Sequence, residues 1–526
     1  MSVIRITPRD QYSILMKYII RIGNKKIMLT LYTKKVIWII LLLLILSHKV
    51  FPGVSDERKK LKRFLQSIEV KTTGLYQSFT GTANWIEDVR FLEIPLMRTE
   101  KGYLDSQAFL YDNALVLIAM IDMEDYEKAE YMLHLFEDNF SLRKNNCLGL
   151  FNAYDVTMFD HYFYTKPGKY NQLVMGIDGD RIHIGPNIWV GLAAQFYYFR
   201  TRSLLFVDFV MKMFNWARDF THYTLPQGER GAPSMGYGWG PDWQKVFSTE
   251  NIIDYYAFLK NCLAMVNMKD NRVLAIMKKN DISFKDIEKE KLATQNWFKR
   301  IAWNQRGTFN RGGYGPTKVK GKWEYVVDTL EALDVNSWAI CGIGPEDLDR
   351  MGIDPIELVR QAEDKFRVEV MVQGEKFWGF DFTIKEAYSQ RRDQPMIWWE
   401  GTGQMALDYN MLADYAVGRS ENRAAESFLK KYRFYVDEMN RYIDLITRSE
   451  NNELPYVSHI IKDKQFVYAF NDWWPLARSS RIGNGLAGSF SEEKKYRFVF
   501  CISSTLWRYF AMIGLNPFDA TVPRIE

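Results

Sequence analysis

Apolar residues recur at helical spacing along most of the chain from about residue 100 onward. Short polar breaks divide this region into segments of ordinary helix length. Runs that alternate strictly between apolar and polar residues, which would predict strands, are scarce. The pattern therefore predicts an all-α fold. The predicted helices are Ser106–Ile121, Tyr126–Phe136, Ile188–Tyr198, Leu204–Phe220, Ile252–Val266, Asp286–Ala302, Val335–Ile343, Pro355–Val372, Gln404–Val417, Ala424–Leu445 and Glu492–Ile513.

The order of these segments carries more information than any one of them. A short polar or glycine-rich loop with aromatic residues opens repeatedly into a helix that is rich in small residues. Successive openings lie 63 to 104 residues apart, which is too irregular for a solenoid of fixed period. Six loose repeats of about two helices each favour a closed (α/α)6 toroid. The six openings are Tyr111–Ala114, Gly185–Trp189, Ser248–Asn251, Leu333–Trp338, Trp399–Gln404 and Ser503–Trp507.

In such a toroid each repeat is a helical hairpin. The segments Ser106–Ile121 and Tyr126–Phe136 are the first predicted hairpin, and Ile188–Tyr198 pairs with Leu204–Phe220 in the same way. We expect Ala, Gly and Ser to line the inner helices. The loops that precede these helices should then gather at one end of the ring.

An unbroken apolar run, Val36–Leu46, follows the basic residues Lys34 and Lys35 near the start of the chain. Its eleven residues reach only about half of a ~30 Å bilayer core, which is the length of a signal-peptide core. No small-residue cleavage site follows, so an uncleaved anchor is favoured. A cleaved signal and a buried core helix are the alternatives.

The sequence is thus divided into three parts. Residues 1–54 are a basic region with an apolar signal or anchor, residues 55–99 are a linker and a first helix, and residues 100–526 are the toroid. Residues 1–63 hold 14 basic and 3 acidic residues, whereas the rest of the chain holds 55 basic and 61 acidic residues. The basic flank and the acidic body predict export, with the membrane as a partner of the N-terminal segment.

The charge distribution and the rare residues exclude several function classes. The net charge of +5 comes from the N-terminal segment, so a nucleic-acid partner is not expected. The four cysteines show no C-x-x-C spacing, and the six histidines form no H-E-x-x-H motif. We expect no metal and no cofactor. Disulfide pairing and oligomeric state stay open.

Several openings, read in order, resemble those of the six-hairpin glycosidase superfamily. The matching stretches are Ser248-Thr249-Glu250-Asn251, Trp398-Trp399-Glu400-Gly401-Thr402-Gly403-Gln404-Met405-Ala406 and Asn516-Pro517-Phe518, together with Tyr111–Leu115 and Gly185–Trp189. The likeness covers roughly residues 100–520, and the WEGT stretch is its most specific part. Asn251-Ile252 departs from the family, where His and then Asn are frequent. The resemblance implies an exported enzyme that hydrolyses glycosidic bonds, with inversion as the expected outcome.

Four acidic residues stand at the openings of predicted inner helices and are the candidate catalytic groups: Asp112, Glu250, Asp334 and Glu400. Glycoside hydrolysis uses two carboxyl groups, one protonated as general acid and the other activating water or attacking the sugar. We prefer Glu400 and Glu250 as this pair. Each has a structural alternative, because an acid in the first turn of a helix is stabilised by the helix dipole.

Tryptophans in nearby loops are candidate platforms for sugar rings, since sugar C–H faces stack on flat aromatic faces. Asn187 at the second opening, Tyr237 in a glycine-rich loop and Arg478, which suits an acidic sugar, complete the candidate substrate-binding set. Packing in the core or a lid is the alternative for the tryptophans. They are Trp239, Trp243, Trp398, Trp399, Trp473 and Trp474.

Three functions follow from these residues. The first is a glycoside hydrolase that acts on an extracellular or envelope polysaccharide or oligosaccharide. The second is a polysaccharide lyase on the same toroid, in which Tyr237, Asn251, Arg478 and Arg481 would handle a uronic acid. The third is a glycan-binding scaffold without turnover, because a fold by itself does not determine function.

Overall fold

A computed structural model describes most of the predicted helical region and part of the N-terminal region. The described residues are 16–22, 25–31, 54–71, 73–80, 107–141, 149–155, 174–175, 182–220, 222–225, 228–237, 243–304, 306–319, 322–372, 374–382, 384, 395, 397–450, 458–461 and 497–522. The chain divides into two compact units, Met1–Glu57 and Arg58–Glu526.

In the first unit, strands β1 (Met16–Ile22) and β2 (Lys25–Leu31) form an antiparallel hairpin. The predicted signal or anchor, Val36–Leu46, lies outside the described residues. Across the described part of the chain, no helix combines the length and the apolar character that crossing a bilayer requires.

Helices dominate the described part of the chain, as the apolar pattern predicted. Two of them continue into single π-helical segments, Phe298–Ala302 and Ala339–Ile343. The helices are α1 (Val54–Ile68), α2 (Leu110–Asp122), α3 (Tyr126–Ser141), α4 (Ile184–Thr201), α5 (Val207–Arg218), α6 (Thr249–Asn267), α7 (Asn271–Lys279), α8 (Phe284–Trp297), α9 (Leu333–Trp338), α10 (Pro345–Arg350), α11 (Pro355–Phe366), α12 (Trp399–Gly418), α13 (Asn422–Glu450) and α14 (Ile502–Ile513).

Six helices of the larger unit form a closed inner ring. Helices α2, α4, α6, α9, α12 and α14 each contact the next, and α14 contacts α2 again. The outer helices α3, α5, α8, α11 and α13 each pack against the inner helix that precedes them in the chain. At the closure of the ring, Arg58 of α1 and Tyr509 of α14 both bind Asp122 at the end of α2. The helices therefore follow the predicted toroid.

The inner helices are buried on nearly all sides, which explains their small residues. In α2 every residue from Asp112 to Asp122 is buried. A Cβ atom on Gly403 of α12 would lie 3.0 Å from the main-chain carbonyl of Trp507 in α14. This glycine lets two inner helices approach within main-chain contact, where a larger residue would push them apart.

Strands are more frequent than the sequence pattern predicted, but most are only two to five residues long. The remaining strands are β3 (Glu69–Val70), β4 (Leu75–Tyr76), β5 (Phe79–Thr80), β6 (Gln107–Phe109), β7 (Ala153–Asp155), β8 (Val174–Met175), β9 (Ile182–His183), β10 (His222–Thr224), β11 (Arg230–Pro233), β12 (Gly236–Tyr237), β13 (Val246–Ser248), β14 (Gly312–Val319), β15 (Lys322–Asp328), β16 (Arg367–Val372), β17 (Glu375–Phe380), β18 (Ser458–Ile461) and β19 (Arg497–Cys501). Segments this short show too few residues for alternation to be visible.

These strands pair locally in small antiparallel sheets at the starts of the inner helices. Strands β6, β9, β13 and β19 run directly into α2, α4, α6 and α14. Their sheets are β6-β7-β8, β9-β12, β13-β14-β15 and β5-β19-β18. The sheets therefore hold the loop end of the ring.

Three predicted helices were too long because strand segments adjoin them. The first, Ser106–Ile121, begins only at Leu110, after strand β6. The predicted helix Pro355–Val372 is wrong beyond Phe366, since Arg367–Val372 is strand β16 and pairs with β17. Its sequence, RVEVMV, alternates and is rich in β-branched valine, which favours a strand. The last predicted helix, Glu492–Ile513, begins only at Ile502, after strand β19.

Candidate active site

Each inner helix carries its second residue at a corresponding place near the loop end of the ring. These residues are Tyr111, Gly185, Glu250, Asp334, Glu400 and Ser503. Three of them, from α2, α12 and α14, are joined by hydrogen bonds, so the starts of these helices converge. Three of these residues carry a carboxyl group, Ser503 carries a hydroxyl group and Tyr111 carries a phenol. Five of the six can therefore form hydrogen bonds through their side chains.

Glu400 is held at both of its carboxyl oxygens. The hydroxyl of Tyr111 donates to Oε1 at 2.8 Å, and the hydroxyl of Ser503 donates to Oε2 at 2.8 Å. Burial raises the pKa of Glu400, the two hydrogen bonds lower it and the nearby Asp334 raises it, with a resulting pKa of about 7. The carboxyl group is therefore oriented by two donors and is ionised above neutral pH.

Glu250 has the opposite environment. Its Oε2 atom is buried and has no hydrogen-bond partner among the described residues. Burial and the charges of Asp334, Asp254 and Glu400 raise the pKa of Glu250 well above its usual value. The surroundings of Glu250 therefore favour its protonated form, and one of its oxygens lacks a hydrogen-bond partner among the described residues. The side chain remains partly accessible to solvent.

The other two predicted acids lie beside this pair. The Oδ1 atom of Asp334 accepts a hydrogen bond from the main-chain N–H of Val335 at 2.7 Å. Asp112 is the third residue of its helix, and burial, with the charge of Glu400 added, raises its pKa to about 8 against a hydrogen bond from Ser78. The charge of Asp334 acts on Glu250 and Glu400, and the charge of Glu400 acts on Asp112. Whether Asp334 or Asp112 acts on a substrate stays a prediction.

Asp254, which lies one helical turn beyond Glu250 on α6, was not among the predicted catalytic acids. The indole N–H of Trp338 donates to its Oδ1 atom at 2.6 Å. Burial raises the pKa of Asp254 to about 8 despite this hydrogen bond. The spacing of four residues between the two acids was the available signal, because it places them on one face of a helix.

A layer of large aromatic residues lies beneath the carboxyl groups. The sixth residue of three alternate inner helices is a tryptophan: Trp189 in α4, Trp338 in α9 and Trp507 in α14. Their ring centroids lie 5.5–6.4 Å apart. Phe518, from the segment after α14, packs against all three at 4.6–6.3 Å. Together they fill the centre of the ring below the site.

Trp398 and Trp399, which were predicted to be sugar platforms, are both buried against aromatic neighbours. Trp399 is fully buried, where its ring stacks on Tyr442 of α13 with centroids 4.7 Å apart. Trp398 is 8% exposed and packs edge-on against Phe382. Trp398 precedes helix α12 with an extended backbone and Trp399 is the first helical residue, so the two rings turn toward different neighbours. Whether either ring contacts a sugar stays a prediction.

Asn187, which was predicted to contact substrate, makes its hydrogen bonds within the fold. It is completely buried, and its Oδ1 atom accepts the main-chain N–H of Leu150 at 2.6 Å. Its Nδ2 atom donates to the carbonyl oxygens of Leu150 and His183 at 3.0 and 2.8 Å. With these bonds made, the amide ties the start of α4 to the loop before it.

The remaining predicted binding residues are not tested by the described geometry. Tyr237 lies in strand β12, and Trp243 begins a short 3-10 helix, Trp243–Lys245. Asn251 accepts the main-chain N–H of Gly185 through its Oδ1 atom at 3.1 Å. Residues Trp239, Trp473, Trp474, Arg478 and Arg481 lie outside the described residues.

The arrangement can supply both halves of acid–base chemistry. A carboxyl group whose surroundings favour its protonated form and a carboxylate held by two hydroxyl groups lie at one end of the ring. Two acids with different environments are a general sign of divided acid and base roles. Where the side chains are described, they form no group of three or more His, Cys, Asp or Glu residues suited to a metal ion.

No known family model matches this sequence. No curated protein matches it either. Solved structures of glycoside hydrolases and sugar epimerases are nevertheless similar to the chain over most of its length.

One is a family 76 glycoside hydrolase from a bovine Bacteroides thetaiotaomicron strain, 9% identical, with a TM-score of 0.49 over 93% of this chain and 80% of that chain. A sugar epimerase from a ruminal bacterium is 8% identical, with a TM-score of 0.48 over 87% of this chain and 98% of that one. Cellobiose 2-epimerase from Bacillus thermoamylovorans is 11% identical, with a TM-score of 0.43 over 74% and 87%. Likeness at this level carries nothing about the activity of this chain.

Proposed function

We propose that this protein is a glycoside hydrolase in which Glu250 is the general acid and Glu400 is the general base or nucleophile. The observation that carries the proposal is the convergence of two carboxyl groups in opposite environments at one end of the helical ring. The substrate would be an extracellular or envelope polysaccharide or oligosaccharide, bound from the side of the inner-helix openings.

The division of roles follows from the hydrogen bonds. Glu400 accepts two hydroxyl donors, which stabilise its ionised form and orient it toward a water molecule or a sugar carbon. Burial and three neighbouring acids raise the pKa of Glu250 and so favour the protonated form that a general acid requires. Its unpartnered Oε2 atom can donate that proton to the oxygen of a leaving sugar.

We expect inversion at the anomeric carbon, the outcome implied by the family resemblance. Inverting hydrolysis needs a water molecule between the base and the sugar. The anomer formed first would be identified by proton NMR before mutarotation. Retention would assign Glu400 the role of nucleophile and would leave the carboxyl pair itself in place.

The substitutions Glu400→Gln and Glu250→Gln test the chemistry. Each keeps the size and hydrogen-bonding capacity of the side chain but removes proton transfer. Since acid–base assistance is worth ~10²–10⁴-fold, each variant should bind glycans while turnover falls at least about 100-fold. Reducing-end release from a panel of envelope polysaccharides would measure it.

The matched control is Glu357→Gln, which changes an exposed first-turn glutamate on the outer helix α11. It should leave turnover unchanged. If Glu250→Gln also leaves turnover unchanged, the role of Glu250 is limited to its favourable interaction with the helix dipole. If neither active-site variant changes turnover, the hydrolase proposal fails, and binding without turnover would point to a scaffold.

The polysaccharide lyase gains no specific support. The side chain of Asn251, one of its candidate groups, accepts a hydrogen bond from Gly185 within the fold. A lyase would form an unsaturated product that absorbs ultraviolet light, whereas the proposed hydrolase forms none. The same turnover assay, read by absorbance, separates the two reactions.

We also propose that the body from about residue 55 onward is exported. The support is the basic flank Lys34-Lys35 before Val36–Leu46 and the acidic body that follows. A C-terminal alkaline phosphatase fusion should be active because that enzyme requires an oxidising compartment. An active cytoplasmic reporter, such as β-galactosidase, at the same position would contradict export.

A further inference from the structure

The Tyr111 hydroxyl that binds Glu400 also accepts a hydrogen bond from another inner helix. The indole N–H of Trp507 donates to the Tyr111 oxygen at 2.6 Å, and that hydroxyl donates to Glu400 Oε1 at 2.8 Å. The three residues come from three inner helices, α14, α2 and α12. A continuous hydrogen-bonded chain therefore leads from the aromatic layer to the carboxylate.

The direction of this chain is dictated by the chemistry of its members. An indole N–H can only donate, so the Tyr111 oxygen must accept on that side. The single hydroxyl hydrogen of Tyr111 is then available for Glu400. Burial and the charge of Glu400 raise the pKa of Tyr111 well above its usual value, so the phenol keeps this hydrogen throughout the neutral range.

Packing holds Tyr111 in this position. Its ring lies edge-on to Trp189, with centroids 5.3 Å apart, and 6.1 Å from Trp338. Helix α14 contributes twice to the same carboxylate, because Ser503 and Trp507 are four residues apart and lie on one helix face. Ser503 donates directly to Glu400, and Trp507 acts through Tyr111.

We propose that Trp507 is a positioning residue, which acts through Tyr111 to orient Glu400 and to stabilise its ionised form. This inference rests on the proposed function only for its consequence in catalysis. The relay itself is a property of the folded protein without substrate. Donation by Trp507 polarises the phenol and strengthens its hydrogen bond to the carboxylate, as expected for linked hydrogen bonds in a site of low dielectric constant.

The relay is tested by the titration of Glu400 in the full chain, with glutamate carrying 13C at the side-chain carboxyl carbon. The Glu400 signal is the NMR resonance that disappears in Glu400→Gln. Loss of the charge-assisted bond in Tyr111→Phe should raise the titration midpoint by about 1–2 pH units. Trp507→Phe should raise it by less, about 0.3–1 pH unit.

Trp338→Phe is the matched control. It removes an equally buried indole from the same aromatic layer, but that indole donates to Asp254 instead of Tyr111. The Glu400 midpoint should stay unchanged in this variant. If Trp507→Phe and Trp338→Phe move the midpoint equally, Trp507 acts through packing alone and the proposal is overturned.

The double variant Tyr111→Phe/Trp507→Phe provides a second test, which does not depend on the stability of one variant. If Trp507 acts through Tyr111, its substitution should have no further effect on the Glu400 midpoint once the hydroxyl is absent. Additive shifts would contradict the relay. Because the titration needs no substrate, its outcome is distinct from that of the turnover assay with Glu400→Gln.

Discussion

The carboxyl groups of the site are held in surroundings that oppose their charge. The pKa of Glu400 is raised to about 7, and those of Asp112 and Asp254 are raised to about 8, in each case mainly by burial. Such groups bind protons more tightly in the folded chain than in the unfolded chain. Their ionisation therefore destabilises the fold, a penalty that structures tolerate at functional sites.

This coupling predicts how stability changes with pH. The contribution of Glu400 is fully present below its ordinary pKa of 4.5 and is lost as the pH rises toward about 7. We predict a higher melting temperature at about pH 5.5 than at about pH 7.5. Glu400→Gln should reduce this difference and stabilise the protein near pH 7.5 by about 1–3 kcal/mol.

Thermal unfolding followed by circular dichroism at several pH values would measure the effect. Glu357→Gln is again a suitable control, because the pKa of that exposed glutamate is lowered to about 2 by Arg360 and Gln361. It should leave the difference between the two pH values unchanged. A melting temperature that rises with pH equally in wild type and Glu400→Gln would contradict the prediction.

At the scale of elements, three inner helices carry a buried asparagine as their fourth residue, and it makes the same kinds of hydrogen bond in each. Asn113, Asn187 and Asn336 are buried, and each side-chain oxygen accepts a main-chain N–H from a segment that precedes the helix in the chain. Each side-chain amide donates back to the carbonyl four residues earlier. The asparagine thus joins a helix start to a segment that precedes it in the chain.

Asn187→Ala should therefore lower stability and leave glycan affinity unchanged. The substitution leaves the N–H and carbonyl of Leu150 without their buried partner, at an expected cost of about 2–4 kcal/mol. Urea unfolding would measure this change. The exposed Asn271→Ala, in α7, is the control and should change stability by less than about 0.5 kcal/mol. Weaker glycan binding without a change in the unfolding midpoint would restore Asn187 as a substrate contact.

At the scale of the molecule, the centre of the larger unit is filled by alternate helices. The sixth positions of α4, α9 and α14 hold tryptophans, whereas those of α2, α6 and α12 hold Leu115, Asp254 and Gln404. The segment after α14 completes the layer with Phe518 and is anchored by Asn516, which donates to the carbonyl of Cys341 at 2.8 Å.

Phe518→Ala should consequently destabilise the ring as a whole. Phe518 is 2% exposed and contacts all three tryptophans, so its truncation should cost about 3–5 kcal/mol. Urea unfolding would measure the loss, and a change in tryptophan emission would report the altered layer. Phe284→Ala, at a position that is 38% exposed, should have a small effect on both. Equal effects of the two substitutions would show that Phe518 is not a central packing residue.

Much of the architecture could be predicted from the sequence because it depends on local patterns. Helical spacing of apolar residues predicted α2, α4, α6 and α12 with errors mainly at their ends. The position of acidic residues at helix starts identified Glu250 and Glu400 as candidate groups, since a carboxylate near a helix N-terminus can be recognised from the local sequence. The six openings predicted the ring, because a fold of repeated units repeats its helix starts.

Other features depended on partners that are distant in the chain. Trp399 is core because Tyr442 covers it, and Asn187 is structural because the loop at Leu150 returns to it. Tyr111 and Glu400 are 289 residues apart, so nothing local predicts their hydrogen bond. The sequence alone determined which helices form and which of them begin with an acid. The tertiary structure decided which acid is held by hydrogen bonds and which has an oxygen without a partner, because burial and hydrogen bonding depend on all six inner helices at once.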